Sequence, residues 1–97
     1  MSASLSTHVL DTSTGRPAAS VLVELYSAGN LVASGRTGDD GRIAELADGL
    51  DPGVYELVFH PPSTFFRRVE LEVDFGDGHH HVPLLVSPFG CASYRGS

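Results

Sequence analysis

The chain contains no lysine, only one cysteine and no long apolar run. Without lysine, its six fixed side-chain cations are all arginines, at positions 16, 36, 42, 67, 68 and 95. Twelve Asp and Glu oppose them, for a formal net charge of -6. An acidic balance with no basic stripe argues against a nucleic-acid or anionic-membrane partner, since either needs a concentrated positive face. A lone Cys91 excludes an internal disulfide and a cysteine-built metal centre. No apolar stretch approaches the ~20 residues of a membrane-spanning helix. Met1 to Leu10 lack the basic and apolar regions of a secretory signal. Arg95-Gly96-Ser97 is not a peroxisomal address. The expectation is a soluble, cytoplasmic protein. Its 97 residues suit one domain, 1–97, burying roughly 60–65% of the unfolded surface.

A helical stripe is also missing. Instead, short runs with period two or β-branched residues alternate with Gly, Pro, Asn and Asp, which is the all-β pattern. Eight strands are predicted, at 5–10, 21–26, 31–37, 42–46, 54–60, 68–75, 79–86 and 91–96. Ala28-Gly29-Asn30, Gly38 to Gly41, Asp51-Pro52-Gly53 and Gly76-Asp77-Gly78 are the turns between them. No helix follows Gly76-Asp77-Gly78, so it is a turn and not a phosphate loop.

Parity inside the strands is more informative. Residues 68–75 alternate cleanly, with Val69, Leu71, Val73 and Phe75 inward and Glu70, Glu72 and Asp74 outward. Two strands do not. In the first, Leu5, Thr7 and Val9 suit a core, while the other face carries Ser6, His8 and Leu10. In the seventh, Val82, Leu84 and Val86 suit a core, opposite His79, His81, Pro83 and Leu85. A face mixing histidine with apolar residues is expected to be covered, and the simplest cover for so short a chain is another copy of itself.

Four stretches carry a resemblance. They are Ser6-Thr7-His8-Val9-Leu10-Asp11 with Gly15-Arg16-Pro17-Ala18; Thr37-Gly38-Asp39-Asp40-Gly41-Arg42; His79-His80-His81-Val82-Pro83-Leu84-Leu85 with Ser87-Pro88-Phe89-Gly90; and Tyr94-Arg95-Gly96-Ser97. In this order, across residues 5–97, they resemble the 5-hydroxyisourate hydrolases, the transthyretin-related proteins. The resemblance implies a transthyretin-like sandwich of two four-stranded sheets, with the first, fourth, seventh and eighth strands in one sheet. It also implies a homotetramer with active sites at the dimer–dimer interface. Three features depart from the family. Only His60-Pro61-Pro62-Ser63-Thr64 joins Phe59 to Phe65, so the family's short helix between strands five and six is expected to be missing. His80 takes the middle place of a His-Tyr-His, and a tyrosine of the last loop is replaced near Cys91.

The implied reaction opens the cyclic amide of 5-hydroxyisourate, the product of urate oxidation, to 2-oxo-4-hydroxy-4-carboxy-5-ureidoimidazoline. It uses no cofactor and no metal. Such chemistry needs a base working near neutral pH, which imidazole provides. It also needs donors for the oxyanion, and a guanidinium fork matches an oxygen-rich planar substrate. The resemblance carries catalytic roles to His8, Arg42, His81 and Ser97, and substrate contacts to His8, Arg42, Tyr94, Arg95 and Ser97.

Each residue also has a plainer explanation. His8 could be an interior or interface histidine, Arg42 a solvated strand-start charge, and the last residues a loose tail. His79 and His81 share a face, but no third metal ligand lies at local spacing. His79 and His80 are expected to be exposed beside the turn, and nothing near Cys91 would activate it as a nucleophile. A transthyretin-type carrier of a small ligand is the alternative function; it would be expected to lack the His8, Arg42 and His81 set and the Tyr-Arg-Gly-Ser end. A structural β-sandwich module is the third reading.

Overall fold

The computed structural model describes residues 1–96, and all their regular structure is β. The strands are β1 (Ala3–Asp11), β2 (Arg16–Pro17), β3 (Leu22–Ser27), β4 (Asn30–Arg36), β5 (Arg42–Leu50), β6 (Gly53–His60), β7 (Val69–Phe75), β8 (Gly78–Val86) and β9 (Cys91–Ser93). One sheet runs β4-β3-β6-β7, antiparallel throughout. The other runs β2-β1-β8-β9, with β5 also paired to β1. The expected two-sheet sandwich is present, with β2 as a two-residue addition beside Leu10 and Asp11.

At the centre of the second sheet, β1 and β8 lie parallel over nine residue pairs, from Ala3–Gly78 to Asp11–Val86. The inward residues are those the alternation selects. Leu5, Val9 and Leu84 are fully buried against Val23, Leu25, Leu57 and Phe59 of the other sheet. Each such side chain contributes about 1.5–3 kcal/mol, and Phe59→Ala would cost about 3–5 kcal/mol. Thr7 is also buried, and its hydroxyl donates to the Val82 carbonyl at 2.7 Å. On β7, at the sheet edge, Val69, Leu71 and Val73 are only partly buried, whereas Phe75 is buried.

Four local readings need correction. Strand β5 continues to Leu50 instead of ending at Leu46, because two register shifts let Ala47 and Leu50 pair with Leu5 and Ala3. The last strand stops at Ser93 rather than Gly96, and the chain returns only as an isolated bridge between Gly96 and His81. In the turn after β3, Ala28 and Gly29 take positive φ, while Asn30 already belongs to β4. The fourth concerns His80. Even numbering on β8 turns inward, so this side chain is buried rather than exposed. It stacks on Phe75 at 4.8 Å, and its Nε2 lies 2.9 Å from the Gly76 carbonyl.

No helix joins β6 to β7, as the short connection predicts. The Ser63 hydroxyl takes up the Phe65 and Phe66 amides at 3.2 and 3.1 Å. Phe65 packs edge-on against Phe66 and Phe89, with ring centroids 4.9 and 5.8 Å apart. A polar clasp and an aromatic cluster hold the segment where the helix is absent.

Candidate active site

Register explains how distant residues meet. On β1, His8 pairs with Arg42 of β5 on one side and with Pro83 of β8 on the other. Two residues earlier, Ser6 pairs with His81, and Ser4 with His79. Laterally paired residues share a sheet face. Both imidazoles and the guanidinium therefore stand on the outward face of the second sheet, opposite the core.

Two glycines seat the rings. Gly41 has φ +74°, and a Cβ there would lie 2.6 Å from the Val9 carbonyl oxygen and 3.2 Å from His8 Cδ2. At Gly96 a Cβ would fall 2.5 Å from His81 Cδ2. The Gly96 amide donates to the His81 carbonyl at 2.7 Å, which fixes the tail beneath the ring. The Gly41 carbonyl likewise accepts from the Val9 amide at 2.8 Å, and the Asp40 side chain accepts from the Arg42 amide at 3.0 Å. The Gly38 to Gly41 turn thereby aims Arg42 along the His8 row.

Residues absent from the expected set complete the arrangement. The Ser6 hydroxyl is 2.7 Å from His81 Nδ1 and 2.9 Å from His79 Nε2. His79 Nδ1 in turn is 2.7 Å from the Ser4 hydroxyl. With Nδ1 occupied, His81 presents Nε2 to the face. Ser4 and Ser6 share the parity of His8, as His79 shares that of His81, but only the β1–β8 register makes them partners.

The His81 imidazole is held below its ordinary value of 6.5. Burial is the main cause, because it disfavours the charged ring, and the nearby Arg42, His8 and His79 add repulsion. Among the described residues, no carboxylate offsets these charges. No ion pair engages Arg42 among the same residues. A neutral imidazole beside a guanidinium is suited to take a proton from water while negative charge grows alongside. Among the described residues, no cluster of three His, Cys, Asp or Glu side chains is arranged to hold a metal ion.

The structure thus brings His8, Arg42 and His81 together. Tyr94 and Arg95 lie elsewhere: they line a cleft with Leu71, Val73, Phe75, His80 and Val82, on the core side of β8. Ser97 lies outside the described residues. Cys91 is exposed with its thiol free.

The molecule is a two-sheet β-sandwich bearing an imidazole and guanidinium cluster on one outer face. The sequence model described as the HIUase/Transthyretin family matches residues 5–96, and the chain belongs to that family. The 5-hydroxyisourate hydrolase 2 of Rhizobium meliloti is 40% identical over 114 residues, covering 96% of this chain and 95% of that protein. The solved structure of Klebsiella pneumoniae 5-hydroxyisourate hydrolase superposes with a TM-score of 0.90 at 37% identity, over 98% of this chain and 99% of that one. Transthyretin from Sparus aurata has the same fold, with a TM-score of 0.80 at 28% identity, over 95% of each chain.

Proposed function

We propose that this chain is a 5-hydroxyisourate hydrolase, opening the cyclic amide of its substrate with water. The observation that carries the reading is the register that sets His8 beside Arg42 and Ser6 beside His81 on one face. The names of the similar hydrolases reported above support the same reading.

In this mechanism the His8 and His81 pair binds and activates the attacking water. His81 is kept neutral by burial and by Arg42, so it accepts a proton at neutral pH. The Arg42 guanidinium grips the substrate and stabilises charge on the carbonyl oxygen as the tetrahedral adduct forms. Collapse breaks the ring C–N bond, and the proton taken from water goes to the leaving nitrogen. Ser97 is proposed to share the catalytic role with these residues. Substrate contacts by Tyr94 and Arg95 require assembly to position the tail, because in one copy both line the cleft on the other face.

The proposed assembly is a homotetramer with this face covered at the dimer–dimer interface. Its support is the apolar part of that face: Leu10 and Leu85 pair across β1 and β8 and are only half-buried. The proposed setting is the cytoplasm, where an exposed thiol such as Cys91 stays reduced. None of the helices needed to cross a membrane is present among the described residues.

The experiment generates 5-hydroxyisourate from urate and follows its ultraviolet decay with and without the protein. Faster decay is expected. Decay at the spontaneous rate would reject the hydrolase and leave the ligand-carrier reading, tested by binding of a small aromatic ligand. Light scattering tests the assembly, and a monomer mass would contradict the covered face.

A further inference from the structure

His79 and Ser6 are left over by the reaction as described, yet they form a continuous hydrogen-bonded chain from the site to solvent. His81 Nδ1 and Ser6 Oγ are 2.7 Å apart, Ser6 Oγ and His79 Nε2 2.9 Å, and His79 Nδ1 and Ser4 Oγ 2.7 Å. In one copy Ser6 is 8% exposed and His79 is exposed, at the Gly78 end of β8, six residues along the strand from the Leu10–Leu85 row proposed to be covered. Every link joins a group that can both give and take a proton. A neutral imidazole is a donor at one nitrogen and an acceptor at the other, and a hydroxyl is both. The chain can therefore run in either of two polarities without leaving an unpartnered atom.

We propose that Ser6 and His79 form a proton relay that shuttles the Nδ1 proton of His81 to and from solvent during turnover. The proposal rests on the hydrolase reading. Protons balance as follows. As His81 Nε2 takes a proton from the attacking water, Nδ1–H passes to Ser6. The Ser6 proton passes to His79 Nε2, and the Nδ1 proton of His79 leaves through Ser4 to solvent. When the ring C–N bond breaks, His81 Nε2–H goes to the leaving nitrogen, and the chain runs back with one proton drawn from solvent. The proton of the new carboxylic acid is the net product and goes to water. His81 stays neutral at both stages, which removes the need to build a buried imidazolium beside Arg42. Burial and Arg42 both disfavour that cation. A structural role for Ser6 alone would need only one hydroxyl and one ring; the second imidazole and second serine extend the path to the surface.

The test measures 5-hydroxyisourate decay by wild-type protein, His79→Ala and Ser6→Ala, in weak buffer and then with added imidazole. His79 is a surface residue, and its removal leaves a gap that opens on Ser6. The relay predicts that His79→Ala loses about 10-fold in kcat in weak buffer. That is less than the ~10²–10⁴-fold contributed by a positioned proton-transfer group. Added imidazole should restore the rate in a saturable way, with KM unchanged. Ser6→Ala should lose at least as much and should not be rescued, because the link next to His81 is gone. Full activity of His79→Ala in weak buffer overturns the relay while leaving the hydrolase standing. So does a loss that imidazole cannot restore, which marks His79 as structural. Wild-type protein that fails to accelerate decay overturns both readings together.

Discussion

The two outward faces of the sandwich use histidine in opposite ways. On the β4-β3-β6-β7 sheet, register rows of Glu24–Val58–Glu70, Tyr26–Glu56–Glu72 and Val54–Asp74 make an acidic surface. There His60 Nε2 lies 2.5 Å from Glu24 Oε1. That hydrogen bond, with a further one from the Tyr26 hydroxyl, holds the Glu24 carboxyl below its usual range. On the other sheet, His81 meets a serine hydroxyl and lies near Arg42. For His81, burial and the neighbouring guanidinium both favour the neutral ring. The same residue type is thus a hydrogen-bond partner of a carboxylate on one face and a candidate base on the other.

The strongest way to break this contrast is to remove the neutral ring. His8→Ala and His81→Ala should each lose about 10²–10⁴-fold in kcat/KM, measured by substrate decay, with the fold intact by circular dichroism. Full activity in either variant would mean that ring has no catalytic role.

Arg42→Gln should cost about 10²–10³-fold in rate, the usual loss for an oxyanion donor. It should also raise the His81 titration, read by NMR, towards 6.5, since a repulsive charge is gone. In wild type, the neutral base persists below pH 6.5, so the acid limb of kcat/KM should lie under that value. The sign for stability agrees. The unfolded chain takes the proton near 6.5 while the folded ring does so only at lower pH. This contribution is therefore full above 6.5 and is lost as pH falls from there through the folded value.

Gly96→Ala sharpens the same comparison, because its Cβ would meet the His81 ring at 2.5 Å. Displacing the ring should cost up to about 10²-fold in kcat. An unaltered rate would show that the tail does not seat the ring. On the acidic face, His60→Gln should change stability by no more than about 1 kcal/mol in thermal melts, as for other part-exposed polar contacts.

Much of this was legible in the strands. Alternation in β1 and β8 separates Leu5, Thr7 and Val9 from Ser6 and His8, and Val82 and Leu84 from His79 and His81. The pairing that makes a site of them was not legible from parity alone. It depends on which strand lies beside β1, and that information came from the family resemblance. The extent of β5 was hidden because Ala47-Asp48-Gly49 has little strand preference of its own, and its pairing is imposed by β1 across two register shifts. His80 was misplaced because a histidine next to a Gly-rich turn suggests exposure, whereas β8 parity sends it onto Phe75. Ser4 and Ser6 were overlooked as partners because a serine in a strand has no signal until the facing strand is known. Ser6 becomes informative only opposite His81.

The most direct measurement compares the two faces in one assay. Wild-type protein, His60→Gln and His81→Gln are mixed at equal concentration with freshly generated 5-hydroxyisourate, and its absorbance is followed. The account predicts that His60→Gln matches wild type while His81→Gln falls to nearly the rate of substrate alone. Equal rates for the two variants would contradict it.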